Sequence, residues 1–225
     1  MTLKVAVLAS GSGSNLKSLL EKCDSGIVDA HVRLVVTDRP RAGCLQHARD
    51  HGVPAILELP RQDGEAREDY DGRLEEVLEA EGPDLIVLAG FMRILTPAFC
   101  EAFAGGIINI HPALLPSFKG AHGIRDTLAA GAPLAGCTTH LVTADLDGGP
   151  LLLQAALAVA PDDDEASLAA RVLRMEHQIL PRTVQLFAEG RVTVEDGKAM
   201  IAPGASWKDD ERIETVPGAL YSDGF

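Results

Sequence analysis

This chain of 225 residues is poor in aromatic rings, poor in cysteine, short of positive charge and without a long apolar run. Each shortage removes a class of function. Phe, Trp and Tyr make up only 4% of it, so aliphatic side chains and alanine must fill whatever core the 46% hydrophobic fraction builds. Lys and Arg number 20 against 33 Asp and Glu, giving a formal net charge of −13. A phosphate backbone needs a basic surface, so general nucleic-acid binding is excluded. A small anion held by backbone amides is not. The four cysteines (Cys23, Cys44, Cys100 and Cys137) are widely separated and lack Cys-x-x-Cys spacing. That spacing suggests neither a zinc site nor a redox pair, and reduced thiols in a cytoplasmic protein are expected. No stretch approaches the ~20 apolar residues of a membrane span. The run Val5-Ala6-Val7-Leu8-Ala9 is too short for a secretion signal and leads directly into a glycine loop.

Short apolar segments alternate with helical ones along the first half. Strands are expected at Lys4–Ala9, Val32–Val36, Pro54–Leu57, Asp84–Ala89 and Gly106–His111. Helices are expected over Asn15–Lys22, Arg41–His51 and Glu65–Ala80, and from Thr96-Pro97 onward with Thr96 as N-cap. That alternation implies βαβ units and an α/β, doubly wound, mostly parallel, Rossmann-like sheet. The pattern then changes. A short helix over Ile124–Ala130 precedes two extended runs, Gly136–Thr143 and Leu151–Val159, which should add antiparallel strands to one edge. A long helix follows from Asp164 to Ala188, opened by the acidic cluster 162–165, which suits a helix N-terminus. Residues 1–190 are expected to form one domain. Residues 191–225 should form an extension of short β pieces and irregular chain packed on it, with Ser206–Phe225 on the surface or partly disordered.

Five features bear on chemistry. Ser10-Gly11-Ser12-Gly13-Ser14-Asn15 lies between a strand and a helix, where free N–H groups and the helix dipole favour a phosphate. It also suits an ordinary tight turn. Leu16 stands where a dinucleotide fingerprint needs glycine, and no Gly-Lys-Ser/Thr follows for a P-loop. Phe91-Met92-Arg93-Ile94-Leu95 follows a buried strand, where a flat ring could lodge or where side chains could simply pack. Asn109 and His111 are two apart on a strand, so both point to one face and emerge at its end before Pro112. Acyl transfer uses that pairing, one group for an oxyanion and one for a proton; hydrogen bonding to nearby loops is the plainer alternative. Asp147, in Asp145-Leu146-Asp147-Gly148-Gly149-Pro150, either belongs to a turn or lies beside His111 and raises its pKa. Glu176 falls on an apolar ridge of the long helix, where a carboxylate needs a partner.

Together these stretches resemble the phosphoribosylglycinamide formyltransferase family of folate-dependent enzymes. The matching pieces are Val7–Leu16, Val87–Leu95, Asn109-Ile110-His111-Pro112-Ala113-Leu114-Leu115-Pro116 and Leu146–Pro150, in the family's order and spacing. The resemblance implies a catalytic trio of Asn109, His111 and Asp147. It implies nucleotide binding by Gly13, Ser14, Asn15 and Glu176, and folate binding by Arg67, Met92, Arg93, Ile94, Leu95 and Asn109. The cosubstrate it implies is 10-formyltetrahydrofolate, with no metal, and glycinamide ribonucleotide as acceptor. Two departures stand out. Ile124 occupies a position where some members carry histidine, although His122 is present, and Ser117-Phe118-Lys119-Gly120 differs from the usual turn.

The resemblance also brings rivals. Formyltetrahydrofolate hydrolase shares the trio but normally carries an extra N-terminal domain, and here the first strand starts at residue 3. A methionyl-tRNA formyltransferase would need a further basic domain. A non-catalytic folate- or nucleotide-binding module is the rival from another class. Monomer and homodimer are both left open.

Overall fold

The computed structural model describes residues 2–225. Five strands run parallel: β1 (Leu3–Leu8), β2 (Ala30–Thr37), β3 (Ala55–Glu58), β4 (Leu85–Leu88) and β5 (Ile107–His111). The apolar runs of β1, β4 and β5 are buried on both faces over most of their length, as the middle of a parallel sheet covered by helices requires, while the edge strand β3 is only half-buried. The antiparallel strands β6 (Leu134–Leu141) and β7 (Leu151–Ala158) extend the sheet beyond β5, and β10 (Leu220–Tyr221) closes its edge. The order is β10-β7-β6-β5-β4-β1-β2-β3. The α/β sheet with antiparallel additions is therefore as expected.

That order positions the site. From β1 the chain winds one way to β2 and β3, then crosses to β4 on the other side of β1. The crevice between the carboxyl ends of β1 and β4 is thus the topological switch point, where open α/β sheets take ligands. Three of the sequence features end there, after β1, after β4 and at the end of β5.

The helices cover both faces. They are α1 (Ser14–Asp24), α2 (Cys44–Asp50), α3 (Arg67–Glu81), α4 (Pro97–Ala102), α5 (Gly123–Ala129) and α6 (Glu165–Ala188). One apolar cluster gathers α1, α2 and α6 with β6 and β7, including Leu16, Leu168, Val172, Met175 and Ile179. A second lies on the opposite face under α3 and α4, around Tyr70, Leu74, Leu78 and Phe99. Thr96 caps α4 by accepting from Phe99 N–H (3.3 Å), and Asp164 caps α6 in a reciprocal pair with Ser167. Helix α2 starts later than its composition suggests, at Cys44, because Arg41 takes a left-handed φ of 64° in the preceding loop.

Beyond α6 the expected β pieces form a hairpin, β8 (Val192–Glu195) with β9 (Lys198–Ile201). The segment expected on the surface or partly disordered is anchored. Trp207 and Phe225 are buried in the larger core cluster, and Tyr221 stacks on Phe225 at 4.1 Å. The anchor is Arg182 of α6, itself 1% exposed, which donates to the carbonyls of Gly224 (2.7 Å) and Ala205 (2.9 Å). An Arg on a helix gives no local sign that its carbonyl partners lie more than 20 residues away.

Candidate active site

Strand β5 delivers Asn109 and His111 as the alternation demands. Ile108 and Ile110 are buried in the larger core cluster, and both polar side chains line one cavity of about 290 Å³ at the strand's end. The antiparallel pairing of β5 with β6 sets His140 directly opposite Asn109. The Asn109 carboxamide lies 3.1 Å from His140 Nε2. His140 Nδ1 faces the Leu141 carbonyl at 2.9 Å. A carbonyl only accepts, so Nδ1 carries a proton. The sequence features did not single out His140. The signal existed, but reading it needs the β5–β6 register, which no local pattern supplies.

Asp147 arrives from the loop between β6 and β7 with a left-handed φ of 47°. The glycines after it do more than turn the chain. A Cβ on Gly149 would sit 2.0 Å from the Leu141 carbonyl oxygen, so only glycine lets this loop fold back against β6. Asp147 Oδ2 accepts from Gly120 N–H (2.8 Å) and lies 3.5 Å from His111 Nδ1, while Oδ1 is 3.6 Å from His140 Nε2. Burial alone would raise this carboxyl. The His140 contact, the Gly120 amide and the two imidazole charges outweigh it and bring the pKa down to about 2. On its other side His111 Nε2 donates to the Phe118 carbonyl (2.9 Å). Phe118 has a left-handed φ of 56°, in the loop where the sequence departs from the usual turn.

Met92, Arg93, Ile94 and Leu95 line the same cavity. Met92 and Ile94 are 63% and 56% exposed and make an apolar rim. The Arg93 guanidinium lies 3.7 Å from the centre of the Tyr70 ring. Arg67 is not on the cavity wall; it opens α3, exposed, with Glu68 4.0 Å away.

The glycine loop lies across the switch point. Gly13, at φ 79°, sits at the head of α1, and a Cβ there would meet the Cys44 Cα at 2.5 Å. Glycine therefore allows α2 to brace the loop, leaving the first amides of α1 at the helix's positive end. Ser14 and Asn15 are the first two residues of α1. Asn15 Nδ2 donates to Glu176 Oε2 of α6 at 2.7 Å. That partner explains the acid on the apolar ridge. Burial raises the Glu176 carboxyl pKa, and the Asn15 bond offsets part of the rise. Asn15 Oδ1 is buried with no partner among the described residues.

The model of the formyl transferase family matches residues 3–184, which takes in every element of this crevice. The chain belongs to the formyl transferase family. A protein of Escherichia coli (strain K12) named phosphoribosylglycinamide formyltransferase is 39% identical over 211 residues, 94% of this chain and 96% of that protein. The crystal structure of glycinamide ribonucleotide transformylase 1 from Symbiobacterium toebii superposes with a TM-score of 0.87 at 41% identity, covering 90% of this chain and 95% of that one. A formyltetrahydrofolate deformylase from Pseudomonas syringae pv. tomato shares the fold at a TM-score of 0.81. It is only 28% identical, and the match spans 90% of this chain and 67% of that one. Among the described residues of this formyl transferase, no group of three or more His, Cys, Asp and Glu side chains is placed to hold a metal ion. No helix among them is long and apolar enough to cross a membrane.

Proposed function

We propose that this formyl transferase moves the formyl group from N10 of 10-formyltetrahydrofolate to the primary amine of glycinamide ribonucleotide, a step of purine synthesis. Residues 1–190 form the transferring domain in this reading, and residues 191–225 an extension of it. The observation that carries the reading is the convergence of Asn109, His111 and Asp147 on one apolar-rimmed cavity beside the glycine loop. The near full-length match to proteins named for this reaction supports it.

The neutral amine attacks the formyl carbon, a C–N bond forms, and negative charge moves to the formyl oxygen. Asn109 and protonated His111 stabilise that oxyanion; one such donor is typically worth ~3 kcal/mol, roughly a hundredfold or more in rate. Asp147 favours and orients the cationic imidazole. The tetrahedral centre collapses as the bond to N10 breaks. The amine's proton passes to N10, with Asp147 organising a water for the transfer. The His111 Nε2 proton is held by the Phe118 carbonyl, so presenting it to the formyl oxygen requires the 117–120 loop to share or release that bond. Met92, Arg93, Ile94 and Leu95 receive the folate, and Arg67 meets only the outer part of that ligand. Gly13, Ser14 and Asn15 hold the nucleotide's phosphate end, and Glu176 the glycinamide portion.

The deciding experiment follows release of tetrahydrofolate by absorbance with and without glycinamide ribonucleotide. Product formation that depends on the nucleotide supports the transferase. Equal rates without it would establish the hydrolase, and no turnover with both substrates would leave a binding module.

A further inference from the structure

Ser10 does not line the cavity, yet it joins the two ligand loops. The β1–β4 ladder pairs Leu8 with Leu88 and continues one step past the strand ends, where Ser10 N–H donates to the Gly90 carbonyl at 3.1 Å. Gly90 then turns the chain away at φ 72°. Beyond that turn the Met92 N–H donates to the Ser10 hydroxyl at 2.9 Å. The hydroxyl thus replaces the backbone acceptor that a longer strand would have supplied.

The rest of the 90–95 loop shows why that bond counts. Phe91 and Leu95 are buried and pin its ends, but Met92 and Ile94 are exposed and hold nothing. Between the two pins, the Arg93 guanidinium lies against the Tyr70 ring, and Ser10 secures the backbone at Met92. Ser10 is 5% exposed and does not line the cavity, so it acts through the loop and not by touching a ligand. The next residue, Gly11, accepts from Cys44 N–H (3.2 Å) and begins the glycine loop. Any displacement of that loop moves the atom from which the other loop hangs.

We propose that Ser10 is a positioning residue that makes the two substrate half-sites interdependent: occupancy of the glycine loop is passed through its hydroxyl to the 90–95 loop, and the reverse. This rests on the two-substrate reading above. A coupling of this kind is reciprocal by thermodynamic necessity.

Isothermal titration of the full chain with glycinamide ribonucleotide and with 5,8-dideazafolate, which carries no formyl group to react, tests it. In the unaltered chain, saturating nucleotide tightens dideazafolate at least about threefold, and dideazafolate tightens the nucleotide by the same factor. In Ser10→Ala, dideazafolate alone binds about fivefold more weakly, the value of one hydrogen bond, while the nucleotide alone stays within about twofold. The coupling ratio falls to one. Ser10→Thr, which keeps the hydroxyl, restores the ratio. Thermal melts establish that both variants are folded, and lost stability alone would not move a ratio of affinities. A ratio of one in the unaltered chain, or an unchanged ratio in Ser10→Ala, overturns the inference and leaves the proposed function standing. An unaltered chain that binds neither ligand overturns both.

Discussion

The two sides of the crevice are built from different materials. In the proposed reading, the working atoms around Asn109, His111 and Asp147 belong to side chains, and the backbone serves to aim them. Around Gly13 the same reading gives the work to backbone amides, and what matters is the side chain that is missing. The first side therefore fails by losing a functional group and the second by gaining a methyl. A substitution scan read only for chemistry would find one half and overlook the other.

The sharpest test of that contrast is Asp147→Asn. It keeps the shape and removes the charge, and kcat is expected to fall about a thousandfold while nucleotide affinity barely changes. Steady-state kinetics with both substrates varied checks this, and near-normal turnover would refute the role. The pH dependence has a definite sign. A carboxyl held near pH 2 stabilises the fold fully above the ordinary carboxylate range near 4, and that contribution is lost as pH falls toward about 2. Chemical denaturation across that window should show a slope that Asp147→Asn lacks. Asn109→Ala comes next, with about a hundredfold lower kcat from the loss of one oxyanion donor.

Gly13→Ala probes the other side. Its Cβ would lie 2.5 Å from the Cys44 Cα at a backbone φ of 79°, so α2 must move away from the loop. Nucleotide binding by calorimetry should weaken more than about tenfold, with a destabilisation of about 1–3 kcal/mol in a melt. An Ala variant that binds normally would break the comparison. His140→Leu falls between the two sides, because it removes a partner of Asn109 and of Asp147 but no atom of the reaction centre. About tenfold in kcat is expected from an amide left without its orienting bond, with KM for the nucleotide unchanged. The smallest effect is at Thr96→Ala. Losing the cap of α4 costs about 1 kcal/mol in a denaturant titration and leaves kinetics alone, which marks where structure near the crevice stops being part of it.

Local signals located most of this. The apolar run Ile107–Ile110 gives a strand, its period gives the shared face of Asn109 and His111, and the acids before α6 include its cap at Asp164. What stayed hidden depends on partners distant in sequence. His140 matters because of the strand register opposite Asn109, and Arg182 because of carbonyls in the tail. The late start of α2 escaped for a smaller reason, since helical composition does not reveal a left-handed residue at Arg41. Arg67, placed by resemblance among the folate residues, opens α3 outside the cavity wall.

The docking of the tail on α6 and β7 has a bearing on how the molecule opens. Gln154 N–H donates to the Ser222 hydroxyl and Ser222 N–H to the Gln154 carbonyl, while the Arg182 guanidinium is satisfied by Gly224 and Ala205. Releasing the tail would leave that buried cation with Glu189 as its remaining partner (3.4 Å) and two carbonyl bonds lost, so fraying from this end is energetically steep. Amide hydrogens in the last residues should then exchange with solvent at rates near those of the central strands, and the sheet and its final segment should open as one cooperative unit.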